Sequence, residues 1–300
     1  MGKFIIQALM RLFGMLPLKL HYFNARWIAW LTRHVVGYRR TEVISNLSRC
    51  FPEWNYADIA WVEKQFYLHF AEVIVETIWF GACRNPKRLR KARIAEIVNP
   101  ELLKEYYEKS PSLMVMYSHT GNWELFGGIG CYNYTDVPSV FSEDNFCVVY
   151  RQLSSKMWDD ILRVNRYAPL KNENNYDGYI ESLNLPRYVF KHKDEKKVYN
   201  VNTDQRPYFN APSYIECDFL GRRVRTMSAA AALAAKFGMA VLYLNMNRTE
   251  QGHYRLEYSL ICEDARQMSV EEMMQKYYDL LTRDIRNNPM NYLWTHRRFL

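Results

Sequence analysis

Residues 112–124 read SLMVMYSHTGNWE, and within them an apolar run stops abruptly at a histidine, a glycine and a carboxylate. Leu113 to Tyr117 has the length of a buried strand, because the run is short, continuously apolar and bounded by turn residues. If the strand ends at Ser118, then Thr120 and Gly121 make the turn, which glycine permits, and a helix starts near Asn122. That places His119 in the loop and Glu124 in the first helical turn, where a carboxylate is favoured. On one continuous helix the two side chains would point about 140° apart, at roughly 100° per residue, and would not meet. In the strand–turn–helix reading Glu124 holds one imidazole nitrogen, fixes the tautomer and leaves the other nitrogen to take a proton. A hydroxyl brought by the substrate then attacks, and no serine or cysteine nucleophile is needed. The competing reading of the same residues is a satisfied loop histidine.

At 300 residues the chain can form one large α/β domain with a substantial core, or two small domains. A formal charge of +8 and a pI near 9.0 imply an anionic partner, whether nucleic acid, a membrane surface or an acidic carrier protein. Aromatics make up 15%, with 23 Tyr and 8 Trp, which suits a lipid interface. Cys50, Cys83, Cys131, Cys147, Cys217 and Cys262 are widely spaced with no C-x-x-C pair, so neither a zinc knuckle nor a redox motif is indicated. A reducing, cytoplasmic environment is the simplest account. The chain has no H-E-x-x-H, G-x-S-x-G, Walker loop or G-x-G-x-x-G, so metal-hydrolase, serine-hydrolase and nucleotide-binding readings lose their usual support.

Ahead of the central stretch, Ile5, Ala8, Leu9, Leu12 and Phe13 recur at helical spacing, with Lys3, Gln7 and Arg11 on a polar side. Arg11 interrupts the run well before the ~20 residues a membrane span requires, and no small-residue cleavage site marks a signal peptide. Residues 20–36 form a second amphipathic stretch with Trp27 and Trp30 among Arg26, Arg33 and His34. The pair reads either as a monotopic hairpin of interfacial helices or as two ordinary core-facing helices. Tyr38 to Ala82 is helical in pattern, a subdomain beneath the core. The basic cluster Arg84, Lys87, Arg88, Arg90, Lys91 and Arg93 is either a solvated face or a site for a phosphate-rich headgroup or an acidic carrier.

Beyond the central stretch, Phe146 to Tyr150 read as a strand delivering Arg151 at its C-terminal end, where ligands gather in open α/β sheets. Ser154 or Ser155 caps the helix that follows, with Met157, Ile161, Leu162 and Val164 turned inward. A strand at 197–201 runs into Asn202, Thr203, Asp204, Gln205, Arg206 and Pro207, either a polar loop or a second wall of the site; Asp204 and Arg206 pair to hold either the loop or an acceptor group. Arg222, Arg223 and Arg225 make a basic turn. Ser228 caps an alanine-rich helix over 229–237, Ala240 to Met246 forms a central strand, and Tyr254 to Leu260 alternates as a half-exposed strand nearer the edge. Ser269 and Glu272 make a capping box for a last helix to about Asn287. Residues 167–197 are the least patterned region and read as a flap.

HTGNWE resembles the H-x-G-N-W-E signature of the lipid A biosynthesis acyltransferases, the lauroyl and myristoyl transferases within the wider H-x4-D/E lysophospholipid acyltransferase group. YRRTEVISNLSRCFPE at 38–53, VVYR at 148–151, NTDQRP at 202–207 and YLWTHRRFL at 292–300 are similar in kind and stand in the family's order across almost the whole chain. The resemblance implies a glycerolipid acyltransferase-like α/β sandwich, a mixed sheet with helices on both faces. Interfacial membrane-anchoring helices over 1–37 precede an acyltransferase domain over 38–300, divided into a helical subdomain at 38–95 and a catalytic core at 96–300. It implies catalysis by His119 and Glu124, with substrate-binding roles for Asn122, Arg151, Asp204, Gln205 and Arg206 and no metal or cofactor. The donor is an acyl carrier protein or coenzyme A thioester; the acceptor is an anionic lipid, a lipid A precursor. Transfer is direct, without a covalent intermediate, on the cytoplasmic face of an inner membrane held through the N-terminus. Backbone N–H groups at the new helix start, and Arg151, are the expected oxyanion donors. A glycerolipid or amino-acid lipid acceptor is the alternative with the same chemistry. A basic membrane- or nucleic-acid-binding protein is the alternative without chemistry; it would need charge but not His119 and Glu124, and the resemblance argues against nucleic acid.

Overall fold

The computed structural model describes residues 2–132, 140–170, 176–207 and 214–299. Helices α1 (Gly2–Gly14) and α2 (Leu18–Trp30) form a hairpin, and α2 runs on through a π-helical turn at Leu31–Val35. Next come α3 (Arg40–Cys50), α4 (Tyr56–Phe80), α5 (Pro86–Ala92), β1 (Ala95–Ile97), α6 (Pro100–Lys109), β2 (Leu113–Tyr117) and a 3₁₀ helix at Trp123–Cys131. The second half contributes β3 (Phe146–Tyr150), α7 (Lys156–Arg166), β4 (Tyr179–Glu181), α8 (Leu185–Lys191), β5 (Val198–Asn202), β6 (Ile215–Phe219), β7 (Arg222–Thr226), α9 (Ala229–Phe237), β8 (Ala240–Glu250), β9 (His253–Cys262) and α10 (Val270–Asn287).

Seven strands form one mixed sheet in the order β1-β9-β8-β2-β5-β3-β4, parallel throughout except for the β8–β9 pair. The uninterrupted apolar run of β2 is explained by its place: it lies between β5 and β8, and both of its faces are covered. Met114 and Met116 join a core with Tyr199, Tyr243, Tyr277 and Trp294 on one face. Leu113, Val115 and Tyr117 join the other, with Trp79, Phe80, Leu89, Leu103 and Phe126. Helix α4, started by an Asn55–Asp58 capping box, contributes Phe66 and Tyr67 to the first core and Trp79 and Phe80 to the second. Small residues let the hairpin approach closely, with Ala25 and Ala29 of α2 packing on Ala71 and Val75 of α4.

The capping box at Ser269 and Glu272 is present, and Gly238 ends α9 in the left-handed region. Ser155 and Ser228 stand at the expected N-cap positions without a cap hydrogen bond; Asp159 instead accepts from the Leu153 amide ahead of α7. Within the expected flap, the described residues include β4 and α8, while 171–175 lie outside them. The expected basic turn at Arg222 to Arg225 is strand β7, which pairs antiparallel with β6 and sets Arg223 opposite Asp218 and Arg225 opposite Glu216. Charge pairing across a two-stranded ribbon, which a local pattern does not reveal, accounts for this difference.

Candidate active site

Three adjacent parallel strands end at one edge of the sheet, and the candidate residues emerge from those ends. β2 leads to His119, β3 to Arg151, and β5 to Asp204 and Gln205. The amide of Thr203 donates to the Tyr117 carbonyl at 2.9 Å and extends the ladder into the loops.

His119 is 7% exposed, and its Nδ1 lies 2.8 Å from Asp204 Oδ1. An ionised carboxylate only accepts, so Nδ1 carries the proton and Nε2 presents its lone pair. Asn202 Nδ2 at 3.1 Å and Gln205 Nε2 at 3.3 Å face that lone pair. Burial by itself would raise the Asp204 carboxyl, but the charge and hydrogen bond of His119, with His296 and Arg298 nearby, hold it well below the usual carboxylate range. Trp123 and His296 set their ring planes steeply against the imidazole, with centroids 5.0 and 4.6 Å away. Burial and the neighbouring His119 charge push His296 down to about 4, so it sits there neutral.

Glu124 makes a different partnership from the expected one. Its two oxygens accept from Arg166 Nε and Nη2 of α7, both at 2.7 Å, in a bidentate pair. Burial favours the neutral acid, yet the Arg166 charge and hydrogen bonds, followed by the His119 charge, hold Glu124 below the ordinary range. The carboxylate that fixes the imidazole is therefore Asp204, while Glu124 lies close enough to feel its charge. A second expectation shifts as well: Asp204 pairs with His119 and not with Arg206. Asn122 is fully buried and turned inward, donating to Glu76 at 2.9 Å and accepting from the Glu124 amide at 3.2 Å.

A cavity of about 910 Å³ opens over this edge. Its apolar wall includes Tyr117, Phe126, Val148, Tyr179 and Leu185; His119, Glu124, Arg151, Asn202, Gln205 and Arg206 line it, as do Arg166, Arg297 and Arg298. Asn122 and Asp204 support the lining without joining it. Among the described residues no cluster of His, Cys, Asp and Glu has metal-binding geometry.

The C-terminal tail braces the turn. Thr120 bridges to Tyr292, Gly121 N donates to Asn291 O at 3.0 Å, and Leu293 N donates to His119 O at 3.0 Å. The tail is held in turn by α3 and the residue before it, where Arg39, Asn46 and Arg49 donate to the carbonyls of Thr295, Trp294, His296 and Phe299. Residues 38–53 and the closing YLWTHRRF, far apart in sequence, thus dock on each other behind His119. Arg166, His296 and Arg298 were not assigned to the site from sequence. Arg166 carried one signal, lying four residues beyond the inward-facing Leu162 of α7.

The structure thus brings together an α/β sheet, a carboxylate-held histidine at its C-terminal edge and a large, largely apolar cavity with a basic rim. The family model of bacterial lipid A biosynthesis acyltransferases matches residues 1–300, the whole chain, and the chain belongs to that family. It is accordingly an acyltransferase of lipid A biosynthesis. No individual curated protein matches it.

Proposed function

We propose that the chain transfers a fatty acyl group from a thioester, carried by an acyl carrier protein or coenzyme A, to a hydroxyl of a lipid A precursor, with His119 as general base. The observation that carries this reading is the Asp204–His119 hydrogen bond, with Nε2 aimed at the cavity. The acceptor hydroxyl displaces an amide from Nε2, Gln205 being the longer contact, and gives up its proton as its oxygen attacks the thioester carbon. The C–O bond forms, the C–S bond breaks, and the imidazolium returns the proton to the leaving thiolate. No covalent enzyme intermediate is required. Ionised Asp204 and Glu124 favour the imidazolium that forms between these steps.

The N–H groups of Gly121, Glu124 and Leu125 are already engaged with Asn291 O, Asn122 Oδ1 and Asn122 O. In this reading Arg151 on the cavity wall is an oxyanion donor. The apolar wall takes the acyl chain, and Arg206 and Arg297 at the rim take the anionic acceptor.

The hairpin supports a seat in one membrane leaflet. Its outer face carries Phe4 and Leu12 at 73% and 68% exposure, with the exposed Trp27, Trp30 and Arg26. No single described helix is long and apolar enough to cross a membrane, and the chain bends by 119° between the two helices. Arg88, donating to the carbonyls of Gly14 and Leu16, joins the basic α5 to the hairpin bend, so the remaining basic residues of α5 are set toward anionic headgroups.

The test is transfer by purified full-length chain in detergent, supplied with a lipid A precursor and either thioester. Ester formation matched by released thiol, and lost in His119→Ala, is expected. Transfer undiminished in that variant would overturn the assignment of the base.

A further inference from the structure

Three elements converge on one carboxylate of a fourth, outside the cavity. Glu76 of α4 is fully buried. Its Oε2 accepts from Asn122 Nδ2 at 2.9 Å and from the Tyr254 hydroxyl of β9 at 2.7 Å, and its Oε1 accepts from the Tyr22 hydroxyl of α2 at 2.9 Å. All three partners are neutral donors. A carboxylate placed in such surroundings is costly, and an apolar residue would fill the same space more cheaply. What the carboxylate adds is direction, because it fixes where the Asn122 amide points.

Asn122 spends its other end on the same task. Its Oδ1 accepts from the Glu124 amide, and its carbonyl from the Leu125 amide at 3.1 Å, so it begins the 3₁₀ helix that bears Trp123 and Glu124. The preceding Gly121 has φ +62°, and a Cβ there would stand 2.5 Å from the Met246 carbonyl. The turn is therefore pressed against β8 and braced by the C-terminal tail, and the Asn122–Glu76 bond is what ties the start of the helix to α4. Two residues upstream lies His119, and neither Glu76 nor Asn122 lines the cavity.

We propose that Glu76 is a positioning residue for the catalytic turn: through Asn122 it sets the start of the helix carrying Glu124 and keeps His119 in register, while Tyr22 ties the α1–α2 hairpin to the same carboxylate. This rests on His119 being the base. Misplacing a reacting group by about 1 Å costs on the order of 10²-fold in rate, so the bond reaches chemistry without touching substrate.

The test uses full-length chain in detergent as Glu76→Ala, Glu76→Gln, Asn122→Ala and the Glu76→Ala/Asn122→Ala pair. Each is assayed for kcat and KM and by NMR of the His119 ring, which is assigned by its disappearance in His119→Ala. Glu76→Ala is expected to lower kcat about ten- to hundredfold, leave KM within about threefold and shift the His119 resonances. Glu76→Gln keeps an acceptor for Asn122 and Tyr254 and regains kcat to within about threefold of wild type. The double variant is no slower than Asn122→Ala, because Glu76 reaches the turn through Asn122 and that bond is already lost in either single variant. A Glu76→Ala enzyme within about twofold of wild type in kcat, or single losses that multiply in the double variant, would overturn the proposal. If Glu76→Ala does not fold, Glu76→Asp, shorter by one methylene, carries the same expectations. Should the assignment of the base fail instead, His119→Ala keeps its activity while Glu76→Ala still moves the ring resonances.

Discussion

His119 Nδ1 and Asp204 Oδ1 lie 2.8 Å apart across 85 positions of sequence, joining the turn after β2 to the loop after β5. The bond sets the tautomer that leaves Nε2 able to accept a proton. Asp204→Asn replaces an acceptor by a group that can donate, which favours the wrong tautomer without changing shape. A loss of about 10² to 10⁴ in kcat with an unchanged fold is expected. Steady-state kinetics beside circular dichroism check it, and a variant within tenfold of wild type would remove Asp204 from the mechanism.

Glu124 and Arg166 form a buried bidentate pair, with side-chain exposures of 12% and 16%. Removing one partner strands a buried charge, so Glu124→Gln and Arg166→Gln are each expected to destabilise the chain by about 3 to 5 kcal/mol. The double variant is expected to cost less than the sum of the two. Denaturant titration of the four proteins measures the coupling.

Burial, together with the Glu72 charge, pushes Glu76 up to about 7 against the hydrogen bonds of Asn122, Tyr254 and Tyr22. The folded protein then binds more protons than the unfolded chain between about pH 4.3 and 7, so this group's contribution to stability falls as pH rises through that window. Each unit is worth about 1.4 kcal/mol, or roughly 4 kcal/mol over the interval. Melting at pH 5.5 and 8 is expected to favour the lower pH in wild type and to show less of that preference in Glu76→Gln.

The exposed face of the hairpin predicts membrane affinity. Trp27→Asp with Trp30→Asp is expected to weaken binding to vesicles rich in anionic phospholipid by at least about tenfold, since each buried Trp contributes on the order of 2 kcal/mol. Vesicle flotation measures the change. Unaltered flotation would move the membrane contact elsewhere.

Much of the fold was legible because β2, β3 and β8 carry runs that suit a covered sheet, and because the Asn122, Gly238 and Ser269 boundaries follow local rules of capping and turn geometry. The short β1 and β4 were not visible, since strands of three residues have no periodicity to read. Within the site, His119 was readable from the abrupt end of β2, but its orienting carboxylate was not. Glu124 is near in sequence and Asp204 is near in space, and only the β2–β5 pairing decides between them. Arg166 is the other half of that misreading: a cation at the last residue of α7, outside any motif, gives little sign that it claims Glu124. The tail was similarly opaque, because its bonds to Thr120 and His119 run through backbone atoms that any side chain would offer.

The most direct test of the central claim is the mass of lipid A from cells lacking this chain, restored with the wild type or with His119→Ala. The account predicts that lipid A lacks one acyl group in the deletion, regains it with the wild type and fails to regain it with the variant. Full restoration by His119→Ala, or lipid A of unchanged mass in the deletion, would contradict it.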